Sequence, residues 1–292
     1  RYINTPAEHS GSGSGPMQNG LRRRVAGQIT LSALVVVGVI YMFASLQRQL
    51  IYFPQVEPED KLLRVAAAAG LQPWRDSSDA LIGWHTESAN DQSKRVLVFH
   101  GNAGYALHRD YYAAGFLAQG QYWDVYLFEY PGYGARTGAP SEVDIKAAAR
   151  HALELLLSHD ARPVYLVGES LGSGVASYLA SQFPEQVAGM LLVTPFTSLT
   201  DVASHHYRFL PVGALLSERY DAQEALSHYR GPVAFLLAGS DEIVPTPLGQ
   251  TLYEGYPGPK WLRVEPGAGH NSLNFFPRAD WWREATAFLT SH

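Results

Sequence analysis

Three residues at the ends of apolar runs have the types needed to cleave an acyl bond. Ser170 stands in "YLVGESLGSGVA" (residues 165–176), where an apolar run stops at Gly168 and helical spacing resumes at Leu171. Flanking Gly168 and Gly172 allow a tight strand-to-helix turn that presents an exposed, strained serine as a nucleophile, with the helix N-terminus favouring the negative charge that develops there. Serine needs a base. His270, in "PGAGHN", lies in a glycine-rich loop before the last helix, from which its ring can reach over neighbouring strand ends. Asp241, in "AGSDEIVP", is the acid that would hold the imidazole's tautomer and stabilise the imidazolium, with Glu242 facing away and Asp201 and Asp221 as alternatives.

Such a triad also requires an oxyanion hole of two backbone N–H groups. One is expected from Leu171, directly after the nucleophile. The other is expected from "HGNAG" (100–104), with Asn102 first and Ala103 second. His100 reads as a strand-end histidine bonded within its loop. His85 lies in a strand, and His108, His151 and His159 read as solvated. The pair His205–His206 lacks a carboxylate pattern, so no metal site is expected, and nothing calls for a cofactor.

The elements that position these residues follow a regular order. Mostly apolar runs at 80–86, 95–102, 124–134, 163–168, 187–196 and 232–240 read as strands, and 260–269 as a strand followed by a loop. Helical spacing falls at 106–119, 141–159, 171–183, 245–256 and 279–291, with Ser141 capping the second of these. Fully apolar strands alternating with amphipathic helices predict an α/β fold, a mostly parallel sheet covered on both faces. Active groups then belong at the strands' carboxyl ends, and the chain order Ser170, Asp241, His270 is that of a nucleophile-elbow hydrolase. Residues 47–75 read as a connector with a short helix from Pro58 to Gly70, and 76–292 as the catalytic domain. Residues 196–230 break the alternation and read as a small helical cap. Within it Leu199, Phe209, Leu210, Leu215 and Leu216, with Phe196 at its edge, either line an acyl pocket or pack the cap onto the core.

Composition narrows the classes. A net charge of −5 over 292 residues gives no basic face for nucleic acid, and the absence of cysteine excludes disulfides and a thiol nucleophile. Residues 1–16, polar and ending in a Gly/Ser linker, read as a non-native leader, followed by a short segment at 17–28. From Ile29 to Leu46 no residue is charged; as a helix this stretch spans about 27 Å, against roughly 30 Å of bilayer hydrocarbon. An uncleaved signal anchor in the lipid bilayer is expected, with a cleaved signal peptide as the rival. Arg22–Arg24 should stay cytoplasmic, which puts the catalytic domain in the periplasm or outside, with Tyr41, Tyr52 and Phe53 near the interface.

Taken together, "LIYFP", "VLVFHGNAG", "LFEYPGYGARTGAPSE", "VGESLGSGVA", "AGSDEIVP" and "GAGHN" resemble the membrane-anchored α/β-hydrolase-domain proteins, a group that includes protein depalmitoylases. The resemblance runs from about residue 50 to 290. It implies Ser170, Asp241 and His270 as the triad, and ester or thioester hydrolysis as the reaction. Depalmitoylases of this group are typically held on the cytoplasmic face through a Cys-rich N-terminus, which this chain lacks. The function expected is therefore a membrane-tethered serine hydrolase acting on esters or thioesters of apolar acyl groups. A serine peptidase of the same fold and a non-catalytic binding protein on a hydrolase scaffold are the alternatives.

Overall fold

A computed structural model describes residues 16–87, 92–120 and 122–292; nearly all of the expected leader lies outside them. The chain divides into two units, residues up to Leu46 and Gln47–His292. The first element is helix α1 (Pro16–Ile51), then β1 (Phe53–Pro54), α2 (Glu59–Ala68), β2 (Leu71–Arg75), β3 (Leu81–Thr86), β4 (Lys94–Phe99) and β5 (Ala103–Gly104). A 3₁₀ turn (Ala106–Arg109) leads to α3 (Asp110–Leu117), β6 (Trp123–Phe128), α4 (Glu142–His159), β7 (Val164–Glu169), α5 (Leu171–Gln182) and β8 (Val187–Val193). The cap region holds α6 (Leu199–His206), α7 (Val212–Leu215) and α8 (Ala222–Ser227), before β9 (Val233–Ala238), α9 (Thr246–Gly255), β10 (Lys260–Glu265) and α10 (Asp280–Thr290).

Eight strands form one sheet in the order β10-β9-β8-β7-β4-β6-β3-β2. The six from β10 to β6 run parallel, and β3 and β2 add antiparallel to the edge. Period-2 alternation divides the side chains between the two faces. Leu97, Phe99, Leu166, Leu192 and Phe235 join one core with Ile145 and Leu153 of α4, Val175 and Leu179 of α5 and Leu226 of α8. Val96, Val98, Val167, Leu191 and Leu236 join the other with Leu62, Tyr112, Phe116, Trp281 and Trp282. Burial on both faces explains why the central strands read as unbroken apolar runs.

Two details depart from the sequence expectation. Strand β2 was hidden inside the connector because it contains Pro73, which only an edge strand tolerates; there it pairs with β3 alone. Tyr52, expected at a membrane interface, is instead buried, with its hydroxyl bonded to Glu218 and 2.9 Å from that of Tyr220. As for the expected anchor, among the described residues no helix is long and apolar enough to cross a membrane. The side chains at 31, 33 and 43–45 of that stretch lie outside the described residues.

Candidate active site

The turn between β7 and α5 is as tight as its glycines imply. Ser170 adopts φ 52°, ψ −117°, a conformation that costs a non-glycine residue on the order of 1–3 kcal/mol and persists only where its surroundings enforce it. Those surroundings are close. A Cβ on Gly172 would lie 2.1 Å from the carbonyl oxygen of Phe99 in β4, and one on Gly168 would lie 2.5 Å from Ser173 Cα. The Ser170 N–H is bonded to Val193 O at 2.8 Å, and Ser173 donates its hydroxyl back to Ser170 O at 2.6 Å. Contrary to the expectation of an exposed serine, Ser170 is only 8% exposed.

The structure brings Ser170, Asp241 and His270 together. His270 Nε2 lies 3.0 Å from Ser170 Oγ, and its Nδ1 lies 2.7 Å from Asp241 Oδ2. The second carboxylate oxygen of Asp241 accepts the N–H groups of Ile243 and Val244 at 2.9 and 2.7 Å, which fixes the carboxylate's plane. Its side chain is 2% exposed and that of His270 10%, so the serine–imidazole contact is the end of the chain of bonds that opens outward. All three residues follow the carboxyl ends of parallel strands, β7, β9 and β10. The alternative acids are used elsewhere: Asp201 accepts the hydroxyls of Thr197 and Ser198 at the start of α6, and Asp221 caps α8 through Glu224 N. Glu242 is exposed.

Around this site Leu171 opens α5, and the loop after β4 runs beside the elbow, where a Cβ on Gly101 would sit 3.6 Å from that of Ser170. His100 is buried there, its Nδ1 bonded to Gly101 O at 2.7 Å, as a loop-bonded histidine should be. Asn102 and Ala103 follow. The Asn102 side chain donates to Ile51 O at 2.7 Å, and Ala103 O accepts from Arg109.

With a carboxylate–imidazole–hydroxyl relay on a doubly covered parallel sheet, the comparison with known proteins has a direct subject. Residues 94–225 match the family model described as alpha/beta hydrolase fold. The chain has the α/β-hydrolase fold. This hydrolase is 38% identical over 256 residues to an uncharacterised protein of Mycobacterium tuberculosis, a match covering 86% of this chain and 89% of that one. It is 29% identical over 200 residues to the lysophosphatidylserine lipase ABHD12 of Danio rerio, with 62% of this chain matched to 52% of that protein. The hydrolase thus spans about half the length of that lipase. The Pyrococcus furiosus esterase PF2001 shares its fold, with a TM-score of 0.59 and 15% identity over 82% of this chain and 98% of that one.

Residues that the sequence reading passed over support the hydrolase's elbow. Glu169, beside the nucleophile, receives Arg109 through Nε and Nη2 at 3.1 and 2.8 Å, Tyr111 at 2.6 Å and Tyr112 at 3.1 Å. Burial alone would raise its pKa, but Arg109 and the two phenols outweigh that and hold the carboxyl below its ordinary value. Burial raises the Tyr111 hydroxyl, so it stays a donor. An acidic residue inside an otherwise apolar strand end was the available signal, since a buried carboxylate demands a cation.

The six residues expected of an acyl pocket do not share one environment. Phe196 and Leu216 are buried and Leu199 packs against the core, while Leu215 is partly buried, Leu210 is 41% exposed and Phe209 is wholly exposed. A hollow of about 480 Å³ opens beside Asp241, bordered by Pro245, Thr246 and Val264, and none of the six lines it. In the expected histidine pair, His206 bonds to Ile243 O at 2.8 Å.

Proposed function

We propose that this hydrolase is a membrane-tethered serine enzyme that cleaves esters or thioesters of apolar acyl groups through an acyl-enzyme. The observation that carries the reading is the relay Asp241–His270–Ser170, with contacts of 2.7 and 3.0 Å at the mouth of a strained elbow. Ser170 Oγ attacks the acyl carbon as His270 Nε2 takes its proton, and the carbonyl oxygen becomes an oxyanion. The N–H groups of Leu171 and Asn102 are assigned as its donors, with Ala103 as the second choice for the latter; losing one such donor costs about 10²–10³ in rate. His270 returns the proton to the departing alkoxide or thiolate as the carbon–heteroatom bond breaks. Water then enters, gives a proton to His270 and its oxygen to the acyl carbon, and the fatty or other apolar acid leaves as Ser170 regains its proton. Asp241 keeps its charge throughout and stabilises the imidazolium.

The apolar substrate class is supported by the lipase and esterase among similar proteins and by exposed Tyr207, Phe209 and Leu210 in the cap region. The tether is supported by Ile29, Leu34, Val35, Val37 and Ile40, each at least 39% exposed on α1, an apolar surface that water does not favour. The charges of Arg22–Arg24 support a cytoplasmic N-terminal end, with the enzyme across the membrane.

The test is labelling of Ser170 by a fluorophosphonate, with competition from acyl esters and thioesters of graded chain length and from aminoacyl amides. Competition that strengthens with acyl length is expected. Preference for amides would make the enzyme a peptidase, and absence of labelling would leave a binding scaffold. Protease added outside intact cells should digest the catalytic domain; protection until lysis would reverse the orientation.

A further inference from the structure

The five residues that leave α1 lie directly against the loop assigned to the oxyanion. Phe53 and Pro54 pair in parallel with Ala103 and Gly104. Phe53 N–H donates to Asn102 O at 2.9 Å, and Gln55 N–H to Gly104 O at 3.0 Å. In return, the Asn102 side-chain amide donates to Ile51 O at 2.7 Å, closing the last carbonyl of α1. Tyr133 donates its hydroxyl to Asn102 O as well, at 2.7 Å, so that carbonyl has both lone pairs engaged.

A peptide group is planar and trans, so holding a carbonyl aims the N–H on the far side of the same plane. The His100 ring holds Gly101 O and thereby aims the Asn102 N–H. Phe53 and Tyr133 hold Asn102 O and thereby aim the Ala103 N–H. Both candidate donors sit in planes whose carbonyls are held: one by His100 of the loop itself, the other from outside the loop by Tyr133 and the segment that follows the N-terminal helix.

The other side of that segment is fixed too. Tyr52 turns away from the loop, and its hydroxyl bonds to Glu218 and Tyr220, which follow the α7 turn of the cap region. Arg48 reaches Glu218 at 3.0 Å, and Gln47 accepts from Ser217 N at 2.8 Å. Glu218 is 3% exposed and the Tyr52 bonds to Glu218 and Tyr220 are buried, so these are shielded from water, while Arg48 approaches from the exposed side. Burial raises the Tyr52 hydroxyl well above its ordinary range and keeps it a donor.

We propose that Ile51–Gln55 is a strap that positions the oxyanion loop, with the Asn102 side chain and Tyr52 as positioning residues that join it to the loop and to the cap. This rests on the serine-hydrolase reading above. The strap makes the joint between helix and enzyme part of the catalytic apparatus, so tension or misplacement at the end of α1 is read at the oxyanion.

The experiment uses the full chain and a soluble short-chain acyl ester. Asn102→Asp keeps the shape of the side chain but loses the amide donor and sets a carboxylate against Ile51 O. It should lower kcat about 10²-fold, as misplacement of a reacting group does, with KM within twofold. A trifluoromethyl ketone, which forms an oxyanion on Ser170, should lose affinity by the same factor. Tyr52→Phe, which removes only the remote hydroxyl, should lower kcat about fivefold, the equivalent of one hydrogen bond. In the double variant the losses should not multiply, because one strap carries both. Independent, multiplying losses would overturn the strap, as would unchanged kcat and ketone affinity in Tyr52→Phe, which keeps the proposal testable if Asn102→Asp fails to fold. A wild-type chain that neither hydrolyses the ester nor labels at Ser170 would instead defeat the serine-hydrolase reading itself.

Discussion

Two histidine–carboxylate pairs stand at the same end of this sheet, and only one is arranged for proton transfer. His270 has Asp241 at 2.7 Å on one nitrogen and the Ser170 hydroxyl at 3.0 Å on the other. His100 spends one nitrogen on Gly101 O, and the other lies 3.3 Å from Glu129 without hydrogen-bond alignment. His100 and Glu129 are 1% and 0% exposed, and Tyr130 lies against the ring with centroids 3.9 Å apart. The pairing of an imidazole with a carboxylate is thus common to both. What distinguishes a base is a third partner with a proton to give and a path outward for product; His100 has a carbonyl where His270 has a hydroxyl. In the buried pair the imidazole is closed within the loop, while that of the other meets a hydroxyl near the surface.

Four changes break or sharpen that contrast. Ser170→Ala removes the proton that defines the outer pair, and turnover should fall on the order of 10⁵–10⁶-fold with fluorophosphonate labelling lost. Retained labelling would move the nucleophile elsewhere. Asp241→Asn keeps the geometry but favours the wrong tautomer, and kcat should drop about 10⁴-fold with the thermal unfolding temperature little changed. The same isosteric change in the inner pair, Glu129→Gln, should lower kcat less than about fivefold, the scale of a single hydrogen bond. A loss in Glu129→Gln to match that of Asp241→Asn would erase the distinction between the pairs.

The smallest effect on turnover is expected at Glu169, a carboxylate whose partner is Arg109, a group that never becomes neutral. Its pKa is lowered on folding, so its stabilisation is fully present above the unfolded value near 4.5 and is lost as pH falls through the lower folded value. Glu169→Gln should therefore cost about 2 kcal/mol of stability at pH 7. The gap from wild type should close as denaturation is followed below pH 4.5. A gap that persists unchanged at low pH would assign the cost to packing.

How much of this was legible in the chain depends on distance along it. Gly168, Ser170 and Gly172 announce their turn because the strain at Ser170 and the crowding at Gly168 arise within a few residues, and the strands flanking them are apolar on both faces. Asp241 and His270 could be named because Asp241 follows an apolar strand, His270 follows the last strand, and both come in the order such hydrolases require. The partners of Asn102 could not, since Ile51 lies 51 residues earlier and contributes only a carbonyl, which every residue has. Strand β1, two residues long with one of them a proline, has no periodicity to detect. Tyr52 read as an interfacial aromatic because a phenol suits a membrane surface and a buried hydrogen-bond cluster equally well. The cap-region apolar residues were ambiguous for a similar reason: hydrophobicity does not say whether a side chain meets the core or solvent, and here they do both.

The separation of Ser170 from His270 by 100 residues has a consequence for biosynthesis. A chain leaving the ribosome releases its elbow long before its imidazole, and domains fold from the N-terminal side as they emerge. Until β10 is laid beside β9 and the glycine loop after it closes, Ser170 is an ordinary alcohol with no base at hand, and a weak nucleophile. In this relay the serine gains its neighbouring imidazole only once that later segment is in place. A nascent or prematurely terminated chain ending between β9 and β10 carries the serine without the imidazole that stands beside it in the folded chain.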